Sequence, residues 1–224
     1  MKQFMNKSIL IILIVISVIC TIVSSYIDSN TMHYIFKPLS TILVILLPVL
    51  YAKNGLKPYK KIVLTGLVFC LIGDIFLMFD AYFIFGLASF LIGHVFFIYA
   101  FASIRGFSWN VKILIPLALV AGLIFFNLKD HLGDLLIPVI LYVTCIVLMA
   151  WQAINVYVWK KEYGFLLIAI GASLFLVSDS VLSYRKFISD FTIAQFLVSS
   201  TYWTAITLIS LSTIYINKKT SAAI

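Results

Sequence analysis

The sequence predicts an all-α membrane protein, a polytopic helix bundle of about eight transmembrane helices, and three observations predict it. The chain is 63% apolar and only 11% charged, with a mean hydropathy of +1.15, whereas soluble domains are about 45–50% apolar and about 25% charged. Its apolar residues fall into eight runs, roughly 8–27, 34–52, 62–79, 82–104, 111–127, 134–158, 163–182 and 192–216, each near the about 20 residues that cross about 30 Å of hydrocarbon. Its Lys and Arg residues stand between those runs rather than along one face. Eight spans use about 160 residues, so residues 1–224 are expected to form a single integral membrane domain with no sizeable part outside the lipid.

The first run follows Lys2 and Lys7. It is long for a signal peptide, and Ser24-Ser25 is a poor small-residue cleavage site, so it reads as a helix. The second carries Lys37 and Pro38 at its start and Pro48 near its end; prolines are tolerated in membranes where neighbours satisfy the freed carbonyls. The third begins after Lys60-Lys61. A short turn near Asp80 leads to the fourth, which ends at Arg105, and the fifth, the shortest, lies between Lys112 and Lys129. The sixth runs from Asp134 towards Lys160, the seventh starts after Lys160-Lys161 and stops ahead of Arg185-Lys186, and the eighth ends before Lys218-Lys219.

With the N-terminus inside, Lys2, Lys7, Lys53, Lys57, Lys60, Lys61, Arg105, Lys112, Lys160, Lys161, Lys218 and Lys219 fall on the cytoplasmic side, against Lys37, Lys129, Arg185 and Lys186 outside. Lys and Arg accumulate in cytoplasmic loops, so both termini are expected in the cytoplasm of a multi-pass protein of a bacterial cell membrane. The net charge of +8 is therefore a topology signal, and no nucleic-acid partner is expected. Cys20, Cys70 and Cys145 lie inside apolar runs without paired spacing, which supports neither a disulfide framework nor a zinc site.

Two acids belong to neither side: Asp74 in LVFCLIGDIFLM and Asp179 in LFLVSDSVLS. Each follows a glycine by eight residues, Gly66 and Gly171, in a run that begins after a lysine pair. The match reads as an internal repeat, two parallel four-helix halves related by an axis near the membrane normal. An aspartate at mid-membrane costs about 2.5–3.5 kcal/mol on insertion scales and faces a bundle interior or a wet cavity. The bland reading is that each carboxyl fixes helix packing by a hydrogen bond. The functional reading is a site, the default for ionisable groups at this depth.

Depth offers a separate check. At 1.5 Å per residue, Asp74 lies about 20 Å above Lys61, Asp179 about 27 Å above Lys161, His94 about 16 Å above Arg105 and Lys37 about 24 Å above Lys53. One level for four polar residues is what a single outward-opening pocket requires. Gly86 and Gly93 share a face of the fourth run, as Gly66 and Gly73 do on the third, and small residues let membrane helices approach closely. Because Asp74 and His94 each follow the second glycine, they are expected to be neighbours. Taken alone, His94 is as readily a packing histidine, and Lys37 reads first as a snorkelling interface lysine. Arg185 and Lys186 read by default as a solvated loop, although their position above Asp179 suits a phosphate at headgroup level. Tyr99, Tyr142, Tyr202 and Trp203 read as aromatic anchors or packing residues, with Tyr142 and Tyr202 retained as substrate-binding candidates, and Ser178 and Gln195 as supporting donors. No G-x-S-x-G, H-E-x-x-H, Walker or Cys/His motif is present, which leaves serine hydrolase, zinc protease and ATP-driven pump readings without residues.

The segments GLVFCLIGDIFLM, FGLASFLIGHVFFIYAF and SLFLVSDSVLSYRKF, with a KPL segment ahead of them, resemble the YhhN-like lysoplasmalogenase family of multi-pass membrane hydrolases, from about Lys37 to Ser212. The resemblance implies hydrolysis of the vinyl-ether bond of a lysophospholipid to a fatty aldehyde and a glycerophospho head group, with no metal or organic cofactor. It makes Asp74, Asp179 and His94 the catalytic candidates. One departure is Phe97, where the family often has a tyrosine; Tyr99 is the nearest alternative. On this reading Lys37, Arg185 and Lys186 hold the phosphate, the apolar bundle takes the alkyl chain, and two aspartates share one proton because burial and a neighbouring carboxylate both disfavour the second anion. Asp179 is expected to be the acid and Asp74 the anion, with His94 beside Asp74. The competing class is a proton-coupled transporter of small molecules or lipids using the same aspartates, against which the prolines do not line up in the two halves. A purely structural protein leaves both carboxyls unexplained.

Overall fold

The computed structural model of the protein describes residues 6–27, 29–52 and 56–216. Lys2, Lys53, Lys218 and Lys219, used above to orient the chain, lie outside the described residues. Among the described residues eight α-helices follow one another: α1 Lys7–Tyr26, α2 Asn30–Tyr51, α3 Lys57–Phe76, α4 Phe83–Arg105, α5 Val111–Leu128, α6 Leu136–Trp159, α7 Tyr163–Phe187 and α8 Ala194–Tyr215. Seven are long and apolar enough to cross a membrane. The exception is α3, which carries Lys57, Lys60 and Lys61 in its first two turns and Asp74 in its last; it packs against α2, α4 and α8. The protein is an integral multi-pass membrane protein with an all-α bundle.

Local chemistry explains several helix ends. Asn6 caps α1 and Asn110 caps α5 by accepting from the backbone N–H two residues on, which satisfies a donor the helix cannot. A proline in the first turn opens α3, where a missing N–H costs nothing. Pro48, inside α2, frees the carbonyl of Val44, and the Ser210 hydroxyl of α8 donates to that oxygen at 2.9 Å. A proline within a membrane helix thus gains its compensating donor from the neighbouring helix. The run expected to end at residue 182 continues as helix to Phe187, so Arg185 and Lys186 sit on the last turn of α7 rather than in a loop. Cations there complement the helix dipole.

The packing follows the repeat expected from sequence. α1 lies on α2 and α5 on α6; α2 on α3 and α6 on α7; α3 on α4 and α7 on α8; and α2 touches α8 as α6 touches α4. Advancing every label by four helices carries each of these pairs onto another. The halves differ at their margins, where α8 also packs on α1 and α3, and α5 remains outside with only Ala121 and Leu128 buried.

Glycines set the closest approaches. Gly66 lies under the Phe97 ring, Gly73 under the Phe90 ring, and a Cβ on Gly93 would come within 3.2 Å of the Gly66 carbonyl. In the second half a Cβ on Gly171 would meet the Ala205 carbonyl at 2.9 Å. We expect Gly171→Val to destabilise the protein by about 1–3 kcal/mol through overpacking against backbone, read as a lower thermal unfolding midpoint in detergent. Gly122→Val, in open space on α5, is the matched control. An unchanged midpoint for Gly171→Val would mean that α7 and α8 do not approach this closely.

Candidate functional site

A cavity of about 480 Å³ opens at the end of the bundle where α1 meets α2 and α7 meets α8, and Asp74, Asp179, Lys37, Arg185, Lys186 and Tyr202 all line it. Its floor is the two aspartates, both almost wholly buried. Asp74, on the last turn of α3, accepts on Oδ2 from the Thr41 hydroxyl of α2 at 2.5 Å and from the Tyr202 hydroxyl of α8 at 2.8 Å. Trp203 fixes the direction of the first bond. Its indole N–H donates to Thr41 Oγ1 at 3.2 Å, which leaves the threonine proton for the carboxylate. Lys37, one turn before Thr41 on the same face of α2, acts on Asp74 with its charge and feels Arg185 across the cavity.

Asp179 is held differently. The Tyr142 hydroxyl of α6 donates to its Oδ2 at 2.5 Å, and His94 Nε2 of α4 stands 3.9 Å from the same oxygen. His94 is fully buried, and both its ring nitrogens lack a hydrogen-bond partner. Its ring meets Tyr142 and Phe175 edge-on, with centroids 5.1 and 4.6 Å away. Tyr142 and His94 do not line the main cavity; they stand behind Asp179.

The expected pairing of His94 with Asp74 is therefore corrected: the partner is Asp179. Gly93 is the residue that faces α3, and at 3.6 residues per turn the next position is rotated by about 100°. That rotation turns His94 towards α6 and α7. Tyr99 does not stand in for the expected tyrosine either, since it is 62% exposed on the outside of α4, while Phe97 is buried against Gly66.

At the mouth, Lys186 Nζ pairs with Asp80 Oδ1 at 3.0 Å and Arg185 Nε with Asp190 Oδ2 at 3.0 Å. Arg185 Nη1 also donates to Gln195 Oε1, and the Gln195 amide donates to Ser199 Oγ at 3.1 Å. His33 lines the cavity on α2, with Ser24 and Ser25 hydroxyls 3.3 and 3.1 Å from its Nδ1. Sequence reasoning missed Thr41 and His33 and took Trp203 for an ordinary anchor. The available signal was spacing, because His33, Lys37 and Thr41 recur every four residues on one face of α2.

Fold and site together define a class: an integral membrane protein whose helices enclose a polar cavity with two carboxyl groups at its floor and cations at its rim. The YhhN family model matches residues 32–213, and the chain belongs to the YhhN family. It is 29% identical over 171 residues to lysoplasmalogenase TMEM86A of Homo sapiens, covering 70% of this chain and 67% of that protein. It is 30% identical over 156 residues to lysoplasmalogenase TMEM86B of Homo sapiens, covering 69% and 64%. The bovine TMEM86A, from Bos taurus, is 30% identical over 167 residues, with 70% and 67% covered. No solved structure matches the chain.

Removing Thr41 tests the support of Asp74 without any assay of activity. Thr41→Val leaves the buried carboxyl one donor short, and we expect a loss of about 1–3 kcal/mol, measured as a fall in the unfolding midpoint. Thr65→Val, whose hydroxyl bonds only the Lys61 carbonyl of its own helix, is expected to change it little.

Proposed function

We propose that the protein is a membrane-embedded hydrolase that cleaves the vinyl-ether bond of lysoplasmalogen-type lysophospholipids, releasing a fatty aldehyde and a glycerophospho head group. The names of its relatives support the reaction class. The observation that carries the chemistry is that two buried aspartates line one cavity with unequal hydrogen-bond support.

Vinyl-ether hydrolysis needs a proton at the alkene carbon remote from oxygen, then water at the carbon bonded to oxygen. Asp74 receives two hydroxyl protons and the field of Lys37, which suits it to be the anion. Asp179 receives one hydroxyl proton and stands beside a buried histidine, with no lysine among the described residues acting on it, which suits it to hold the shared proton. The assignment of the acid to Asp179 therefore stands on the supply of donors, and needs no histidine beside Asp74.

In the proposed cycle Asp179 gives its proton to the alkene carbon, and the C=C electron pair forms the new C–H bond. The oxocarbenium ion that results is stabilised by the Asp74 carboxylate. Asp74 then takes a proton from the attacking water, giving a hemiacetal. Collapse of the hemiacetal breaks the C–O bond: its hydroxyl proton passes to the departing glycerol oxygen, and the aldehyde forms. The proton on Asp74 returns to Asp179 through water, so the net change is the addition of one water.

The phosphate is placed at Lys37, Arg185 and Lys186. The pairs of Arg185 with Asp190 and Lys186 with Asp80 lie at the solvent-exposed mouth, where water screens them, which leaves both cations able to turn to an anion. We take the mouth to face away from the cytoplasm, with both chain ends cytoplasmic in a bacterial cell membrane, because basic residues concentrate at the other end. A C-terminal alkaline phosphatase fusion is expected to be inactive and a C-terminal fluorescent-protein fusion bright; the reverse pattern contradicts this orientation.

Purified protein in lipid nanodiscs given a vinyl-ether lysophospholipid is expected to release fatty aldehyde, followed by mass spectrometry. Asp74→Asn and Asp179→Asn should each lower kcat by about 10²–10⁴-fold while still binding lysolipid. Near-normal turnover in both variants rules out the carboxyl-pair mechanism. Accumulation of intact lysolipid inside proteoliposomes with no aldehyde supports the transporter instead.

A further inference from the structure

Besides the main cavity, the bundle has a narrow seam of about 30 Å³ between α5, α6 and α7. Its walls are Ala121, Ile124 and Leu128 of α5, Val143 and Ile146 of α6, and Leu176 of α7. Two serines also reach it, but neither makes it polar: Ser180 donates to the Leu176 carbonyl at 2.7 Å and Ser183 to the Asp179 carbonyl at 2.7 Å. At its inner end stand Tyr142 and Asp179. Asp179 is thus shared by the polar cavity and the apolar seam.

The helix that closes the seam is the one least tied to the bundle. α5 packs chiefly on α6 and more lightly on α7. It turns Leu119, Leu123 and Phe126 outward, each more than 60% exposed, and a Cβ on Gly122 would meet nothing within 4 Å. Small outward movements of α5 therefore break few packed contacts, and they widen the seam towards lipid.

We infer that this seam is the binding track for the hydrocarbon chain of the lysolipid, running from Asp179 outward between α5 and α7 into the bilayer. The inference rests on the hydrolase reading and extends it. In a vinyl-ether lysolipid the bond to be cut is the boundary between the polar head and the apolar chain. Asp179 is the residue on the boundary between the polar cavity and the apolar seam. A head group held by Lys37 and Arg185 and a chain laid in the seam bring that bond to the Asp179 carboxyl. The main cavity has apolar walls as well, at Leu77, Phe83, Phe90, Leu182 and Val198, but they stand among Lys37, Asp74, Arg185, Gln195 and Ser199, where burial of methylenes would leave charged and polar groups without water.

A saturated alkyl-ether lysophospholipid with a diazirine near the chain end is a probe the enzyme cannot cleave by this chemistry. Wild-type protein in nanodiscs is irradiated with it, with and without excess unlabelled alkyl lysophospholipid, and the labelled residues are mapped by peptide mass spectrometry. The expected result is labelling on α5, α6 and α7 at residues 121–128, 143–146 and 176–180 that the competitor lowers at least fivefold, above the uncompeted labelling of lipid-facing positions. Competitor-sensitive labelling confined to α1, α2 or α8, or none at all, overturns the seam. Aldehyde release by the same preparation reports on hydrolysis separately: release without competed seam labelling removes the track and keeps the reaction, and competed labelling without release keeps the track for a protein that does other chemistry.

Discussion

A carboxyl group placed at the depth of the hydrocarbon is cut off from bulk water, and the helices around it must supply hydrogen bonds in its place. This protein faces that requirement twice, at Asp74 and Asp179, and the bundle can be understood as the arrangement that answers it. Asp74 on α3 is met by α2 and α8; Asp179 on α7 is met by α6 and α4. Moving every helix by four places turns the first set into the second. Each half therefore lends its fourth helix to the carboxyl of the other, and the contacts of α2 with α8 and of α4 with α6 join the halves. Close, glycine-lined approaches pack α4, which carries His94, on α3 and α8, which carries Tyr202, on α7.

The two settings share a layout and differ in chemistry. The interval in sequence that separates Asp74 from Asp179 also separates Phe97 from Tyr202, Lys37 from Tyr142 and His94 from Ser199. Around Asp74 the resulting residues are a tyrosine hydroxyl, a lysine and a threonine whose proton is aimed by Trp203. Around Asp179 they are one tyrosine and a histidine without partners of its own, and the place equivalent to Tyr202 holds the hydroxyl-free Phe97. Symmetric backbones with unlike side chains are a means of pushing two acids apart in proton affinity within one cavity.

Much of this was legible in the residues. Apolar runs bounded by Lys and Arg marked the helices, and the aspartates in matching contexts pointed to the repeat and to the one cavity that both carboxyls line. Counting residues along the helices put Lys37 and Arg185 at the level of the same pocket, and both line it. What could not be read was rotation. Depth along a helix is fixed by counting residues, but the direction of a side chain depends on which face the helix turns to its neighbours. His94 was accordingly assigned to the wrong aspartate, and the role of Thr41 was overlooked. The extent of α7 was also misjudged. Arg185 and Lys186 look like loop residues because they are charged, yet as the last turn of a helix they gain from the dipole and from pairs with Asp190 and Asp80.

The central claim is that the pair carries one proton at neutral pH and that the proton resides on Asp179. Infrared difference spectroscopy of the protein in nanodiscs reads this directly, through the carbonyl stretch of a protonated carboxyl and its shift on exchange into heavy water. The account predicts one such band in the wild type, abolished by Asp179→Asn and retained in Asp74→Asn. A band that survives Asp179→Asn and disappears in Asp74→Asn, or the absence of any protonated carboxyl in the wild type, would contradict it.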